Sequence, residues 1–180
     1  MRLRVELIPK GRGFKLPISY NHQLFSLRLA SPSFSRFLHD EGFEGIKFFT
    51  FSQLLIPDRR IGGDRISGSS LSFLISSPIS EILEKFVVGL YKQDELKIGD
   101  ESFLLSQIEF LPEPEFGEEK KFSCLSPIVV SKSILDGEKK RTLYLTREDA
   151  DFGEGIRRNL LHKYRILRTK TSPYLSTGNI

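Results

Sequence analysis

The chain has one cysteine, one methionine, three histidines and no tryptophan. A lone cysteine, Cys124, can form neither an internal disulfide nor a thiolate metal cluster. Set among apolar residues, it reads as a buried structural thiol rather than a nucleophile. Three scattered histidines with no His-x-x-x-His pair give no zinc site, so neither a metal nor a cofactor is expected. No apolar run is long enough to cross a bilayer, and no charged-then-apolar leader precedes the first strand. The expectation is a cytoplasmic protein with no membrane partner. An acidic excess is lacking too: 27 Lys and Arg against 23 Asp and Glu leave a net charge of +4, with a pI near 9.2. That balance permits a polyanionic partner without requiring one.

Core material is present. Hydrophobic residues make up 39% of 180 positions and 15 of them are phenylalanine, enough for one large domain or two small ones. Arg2 to Pro9 alternates, with Leu3, Val5 and Leu7 on one face of a half-buried strand. Phe14 to Ile18 reads as extended. Asn21 suits the N-cap of a short helix over Gln23 to Ala30. Ser31-Pro32 ends that helix and starts a second, with Phe34, Phe37 and Leu38 on one face, His39 and Asp40 at its end and Gly42 closing it. Ile46 to Ile56 is dense in aromatic and β-branched residues and reads as a strand. Pro57 to Ser70 reads as a polar loop carrying Arg59, Arg60 and Arg65, and Leu71 to Ile75 as the returning strand. Ser77-Pro78 opens the clearest helix, with Ile79, Ile82, Leu83, Phe86, Val87 and Leu90 at helical spacing. A hairpin follows, Leu96 to Ile98 and Ser102 to Leu111, turning at Gly99-Asp100.

The order β-α-β-β-α-β predicts an α+β fold: a ferredoxin-like domain over residues 1–111, with two helices on one face of an antiparallel sheet. Residues 112–121, with two prolines and four glutamates, read as a linker. Residues 122–164 read as an incomplete second ferredoxin-like domain. It comprises a strand over Phe122 to Ser131, a hairpin turning at Asp136-Gly137, and a helix bearing Phe152, Ile156, Leu160 and Tyr164. Thr146 and Asp149 have the spacing of a capping box at the start of that helix. Residues 165–180 read as a polar, basic tail.

Several strings then carry a resemblance: Phe14-Lys15-Leu16-Pro17, Tyr20-Asn21, Phe37-Leu38-His39-Asp40, Lys47-Phe48-Phe49-Thr50-Phe51-Ser52, Ser76-Ser77-Pro78, Lys97-Ile98-Gly99 and Leu125-Ser126-Pro127-Ile128-Val129-Val130. In this order the chain resembles the CRISPR-associated endoribonucleases of the RAMP superfamily, which cut repeat RNA into guide units. The resemblance implies tandem ferredoxin-like domains and metal-independent cleavage, in which a 2′-hydroxyl attacks the adjacent phosphate and leaves a cyclic phosphate. Such chemistry needs a proton acceptor, a proton donor and a cation for the developing charge. The family pattern puts its histidine on His39, as general base or acid, and its lysine on Lys47, as the cation. The implied partner is CRISPR repeat precursor RNA. A CRISPR effector complex and a homodimer stay open as assemblies.

Two departures from the family pattern stand beside this. The family carries a tyrosine before the histidine segment, and Gln23 to Ala30 has none. The family's glycine-rich RNA-holding loop has no counterpart in Ser172 to Ile180. The resemblance thus implies either an active endoribonuclease or a truncated, catalytically inactive RNA-binding remnant or subunit. Read alone, His39 is better explained as a helix-end capping residue and Lys47 as a solvated lysine; the resemblance brings the two readings level. Arg59, Arg60 and Arg65 suit phosphate contacts and stacking on bases, or a solvated loop. Arg157 and Arg158 suit further phosphate contacts.

Overall fold

The computed structural model describes residues 1–19, 46–115, 117–125, 127–137 and 139–169. The helices expected over 23–30 and 32–42 lie outside them. Two compact units divide the chain, Met1–Ser126 and Pro127–Ile180.

The first unit is built on strand β1, Arg2–Pro9, whose Leu3, Val5 and Leu7 are fully buried. The alternation that predicted the strand also fixes its neighbours. Leu3 faces Ile75, Val5 faces Phe73 and Leu7 faces Leu71 across an antiparallel pair with β6, Leu71–Ser76. On its other edge β1 pairs with β8, Glu101–Leu111, with a register shift between Glu6 and Leu7. Completing the sheet are β3, Thr50–Phe51, beside β6, and β7, Leu96–Ile98, beside β8. The order β3-β6-β1-β8-β7 is the ferredoxin-like arrangement of four antiparallel strands with one extra edge strand.

Helix α1, Ser80–Tyr91, covers one face of this sheet through Ile82, Leu83, Phe86 and Leu90. Phe86 meets Phe51 and Phe73 with ring centroids 5.9 and 6.4 Å apart. Full burial of a ring such as Phe86 or Phe73 contributes roughly 1.5–3 kcal/mol by area alone. Ser77 lies just ahead of the helix. It is buried, and its hydroxyl donates to the Phe48 carbonyl (2.7 Å) and accepts from the Ile79 amide (3.0 Å).

Two expectations for this unit are corrected. The strand expected over 46–56 is paired as a strand only at Thr50–Phe51. Beyond Phe51 the Ser52 hydroxyl, not its carbonyl, takes the Leu74 amide at 2.8 Å. Pairing resumes at Leu55 with Ser72, one residue out of register, which is the mark of a bulge. The polar loop expected over 57–70 is a hairpin, β4 Arg60–Gly62 and β5 Arg65–Gly68, turning through Gly63-Asp64. Gly63 sits at φ 59°, a conformation that costs other residues steric strain. Strand β2, Phe14–Pro17, joins β5 to make a second, three-stranded sheet. Leu16 and Ile66 sink into the shared core, and Phe14 stacks edge-on against Phe103 at 5.3 Å.

The second unit holds a hairpin, β9 Val130–Asp136 and β10 Lys139–Leu145, and the helix α2, Ala150–Thr169. The hairpin turns as expected at Gly137, whose φ is 62°. The strand expected over 122–131 begins only at Val130, because Pro127 has no amide to give a ladder. Phe122 and Leu125 are exposed there, and so is Cys124, against the expectation of a buried thiol. Thr146 and Asp149 make half of the expected capping box. The Thr146 amide donates to the Asp149 carboxylate at 2.6 Å, but the helix starts after both residues, at Ala150. It runs on through Arg165 to Thr169, so the first part of the expected tail is helical. Gly155 explains itself: a Cβ there would lie 2.6 Å from the Val130 side chain, so helix and hairpin approach closely only without one.

Candidate nucleic-acid interface

Register decides which side chains share a surface. Lys15, Ser67 and Arg60 form one cross-strand row of the three-stranded sheet, and Pro17, Arg65 and Gly62 form the row two residues on. Leu16, Ile66 and Ile61 form the row between them. Side chains alternate along a strand, so Lys15, Arg60 and Arg65 share the face opposite Leu16 and Ile66. Leu16 and Ile66 are buried, whereas the three cations are exposed. None of the three side chains makes an ion pair or hydrogen bond among the described residues. Arg59, just outside β4, is exposed as well.

A cleft of about 450 Å³ opens beside this face, and Arg12, Lys15 and Arg60 line it together with Asp58 and Glu101. Both carboxylates are anchored by backbone amides. The Ser69 amide donates to Asp58 at 3.1 and 3.0 Å from its two oxygens, and the Lys15 amide donates to Glu101 at 2.8 Å. The hydrogen bonds from Ser69 hold the Asp58 carboxyl below its ordinary pKa, with the Arg60 charge adding to the effect. Gly68 lies at the back, where a Cβ would stand 2.5 Å from the Ile56 side chain and 3.0 Å from Asp58.

The residues singled out from sequence fall in three places. His39 lies outside the described residues. Lys47 is exposed next to the buried Phe48, and makes no ion pair or hydrogen bond among the described residues. Arg157 and Arg158 lie on α2 in the other unit. Arg157 grips Glu154 through two bonds of 2.7 and 2.9 Å, which raises its already high pKa, and Arg158 stands 3.7 Å from the same carboxylate. Arg158, Lys132, His162 and Lys163 rim a groove of about 870 Å³ whose apolar wall includes Val130 and Ile156. Lys132 is paired with Asp151 at 2.5 Å.

Arg12 and Lys15 were not singled out from sequence. The pattern buried-exposed-buried over Phe14-Lys15-Leu16 would have shown that Lys15 points outward. No local signal says that it stands beside Arg60. Among the described residues there is no group of three or more His, Cys, Asp or Glu that could hold a metal ion, and no helix long and apolar enough to cross a membrane. Three exposed cations on one sheet face, with no ion pair within 4 Å among the described residues, can contact phosphate oxygens.

The family profile described as "CRISPR-associated protein Cas6, N-terminal" matches residues 15–109, and "CRISPR associated protein Cas6, C-terminal" matches 111–179. The chain belongs to the Cas6 family. It is 31% identical over 179 residues to the CRISPR-associated endoribonuclease-like protein Cas6nc of Pyrococcus horikoshii, covering 95% of this chain and 73% of that one. It is 33% identical over 175 residues to a CRISPR-associated endoribonuclease Cas6 of Methanocaldococcus jannaschii, covering 90% of this chain and 65% of that one. A solved RAMP protein described as binding different RNA substrates superposes with a TM-score of 0.81 at 30% identity, covering 96% of this chain and 74% of the other. The α+β fold with antiparallel sheets is thus that of Cas6 and RAMP proteins. The chain spans about two thirds to three quarters of the length of these relatives.

Proposed function

We propose that this chain binds CRISPR repeat precursor RNA and takes part in processing it to guide RNAs. The observation that carries the reading is the exposed face of Lys15, Arg60 and Arg65, three cations with no ion pair among the described residues, in a chain of the Cas6 family. Arg59, exposed just outside β4, is a further candidate for phosphate contact, and Arg158, with Arg157 once released from Glu154, would add phosphate contacts from α2. Cleavage in this reading is metal-independent. His39 moves the proton of the attacking 2′-hydroxyl or of the leaving oxygen, and Lys47 balances the charge that builds on the phosphorane-like state. The exposure of Lys47 supports that role, since a cation serving a bound phosphate must be reachable.

The test is a labelled repeat RNA incubated with the protein in EDTA. The expected result is cleavage that leaves a cyclic phosphate and is lost in His39→Ala and Lys47→Ala. Cleavage unchanged in His39→Ala removes that residue from the chemistry. A second reading, RNA binding without cutting, is favoured by the lack of a tyrosine in Gln23 to Ala30, where the family carries one. It predicts salt-sensitive binding and intact RNA. A homodimer and a CRISPR effector complex belong to the same reading as assemblies, and native mass measurement with and without RNA separates them.

A further inference from the structure

The cleft beside the basic face holds two carboxylates that form no close ion pair with its cations among the described residues. Asp58 and Glu101 line it with Arg12, Lys15 and Arg60, yet no ion pair within 4 Å joins either acid to any of these cations among the described residues. Each acid is instead fixed by a backbone amide, Asp58 by that of Ser69 and Glu101 by that of Lys15. A phosphate-only groove gains nothing from fixed anions, which repel the phosphate. An ionised carboxylate only accepts hydrogen bonds. Its match in RNA is the donor edge of a base.

The bases differ sharply as donors. Guanine presents a ring N–H and an exocyclic amine side by side, so one carboxylate can take both. Cytosine and adenine present an amine beside an acceptor nitrogen. Uracil presents one N–H between two carbonyl oxygens, which a carboxylate repels. The volume, about 450 Å³, falls in the range of small-ligand clefts, roughly 300–1,000 Å³. Single-stranded RNA is read in this way, by splayed bases bonded on their Watson–Crick edges.

Resting on the RNA-binding reading above, we propose that this cleft takes one unpaired guanine, with Asp58 as the specificity-determining acceptor and Arg12, Lys15 and Arg60 holding the flanking phosphates. The Ser69 amide reaches both Asp58 oxygens, at 3.0 and 3.1 Å, and the Ser69 hydroxyl adds a further hydrogen bond; a carboxylate offers about four lone-pair sites, so acceptor capacity is left for the base. Glu101 fixes β2 beside β8 through the Lys15 amide. The hydrogen bonds that hold Asp58 below its ordinary pKa keep it an acceptor at neutral pH.

The test compares three single-stranded RNA decamers by fluorescence anisotropy on the full chain: uridine only, alternating guanosine and uridine, and alternating inosine and uridine. Inosine lacks the exocyclic amine. The wild type should bind the guanosine decamer about tenfold more tightly than the uridine one, the scale of one good bidentate base contact. Inosine should lose most of that preference. Asp58→Asn, whose amide still accepts from Ser69, should bring the guanosine and uridine affinities together. Equal wild-type affinities, inosine equal to guanosine, or a preference that survives Asp58→Asn would overturn the proposal. The inosine arm needs no variant and so stands even if Asp58→Asn fails to fold. Binding to none of the three RNAs is a different outcome: it removes the RNA-binding reading itself, and the guanine site with it.

Discussion

The two units differ in how completely their elements are covered. In the first, a sheet face, a helix and a second small sheet close on one another, and Leu3, Val5, Phe73, Phe86 and Phe103 are almost fully buried. In the second, one hairpin and one helix leave Ile166 as the single buried hydrophobic among the described residues, while Val129, Leu135, Tyr144 and Leu160 are exposed. A helix has one apolar stripe and a two-stranded hairpin one narrow face, so the pair cannot enclose a core. The lesson is that similar local patterns give different burial according to how many layers they meet.

Core truncation sharpens that contrast most. Phe86→Ala should cost about 3–5 kcal/mol, because two packed rings, Phe51 and Phe73, lose a partner. Ile166→Ala in α2 should cost about 2 kcal/mol, the low end for a buried aliphatic. Urea unfolding of each variant measures both, and equal costs would break the comparison. Next come close approaches. Gly155→Ala should destabilise by about 1–3 kcal/mol, since its Cβ would meet Val130 at 2.6 Å. Gly63→Ala should cost about 1–2 kcal/mol, through φ alone, with nothing within 4 Å of its Cβ. Thermal melts rank the two, and a neutral Gly155→Ala would mean that helix and hairpin are not held close.

The smallest effect is acid sensitivity. The Lys132 hydrogen bond depresses Asp151, and the bond from Arg157 depresses Glu154. A carboxylate lowered on folding adds stability above its unfolded pKa, and that stability is lost as pH falls through the folded value. Asp151 is exposed and Glu154 half-exposed, so solvent screens both pairs and the loss is small. Acid titration followed by helical circular dichroism should show α2 weakening below the ordinary carboxylate range. Lys132→Met should make the second unit less acid-sensitive, because without the ammonium Asp151 titrates close to its unfolded value.

The sequence showed most of the main sheet and helix α1 because each is written in a local period: Leu3, Val5 and Leu7 two apart, Ile82, Leu83, Phe86 and Leu90 on one helical stripe. It did not show β4 and β5. Their only apolar residues are Ile61 and Ile66, set among Arg, Gly and Ser, and Ile61 is itself exposed. It also could not show that Lys15 stands level with Arg60. That neighbourhood comes from β2 pairing with β5 across some fifty intervening residues, and no short-range pattern encodes such a pairing. Arg60 and Arg65 were visible as a charge cluster. Their sharing one face follows from the register.

The salt dependence of RNA binding tests the account most directly. Affinity for single-stranded repeat RNA would be measured from low to moderate salt for the wild type, for Lys15→Glu/Arg60→Glu/Arg65→Glu and for Arg157→Glu/Arg158→Glu. Each lost phosphate contact lowers the log–log salt slope by about 0.7 for a single strand. The sheet-face triple variant should therefore bind at least tenfold more weakly, with a slope shallower by about 2. The helix double variant should change less, because Glu154 already holds Arg157. A triple variant with the wild-type affinity and slope would contradict the claim that this face is where the RNA lies.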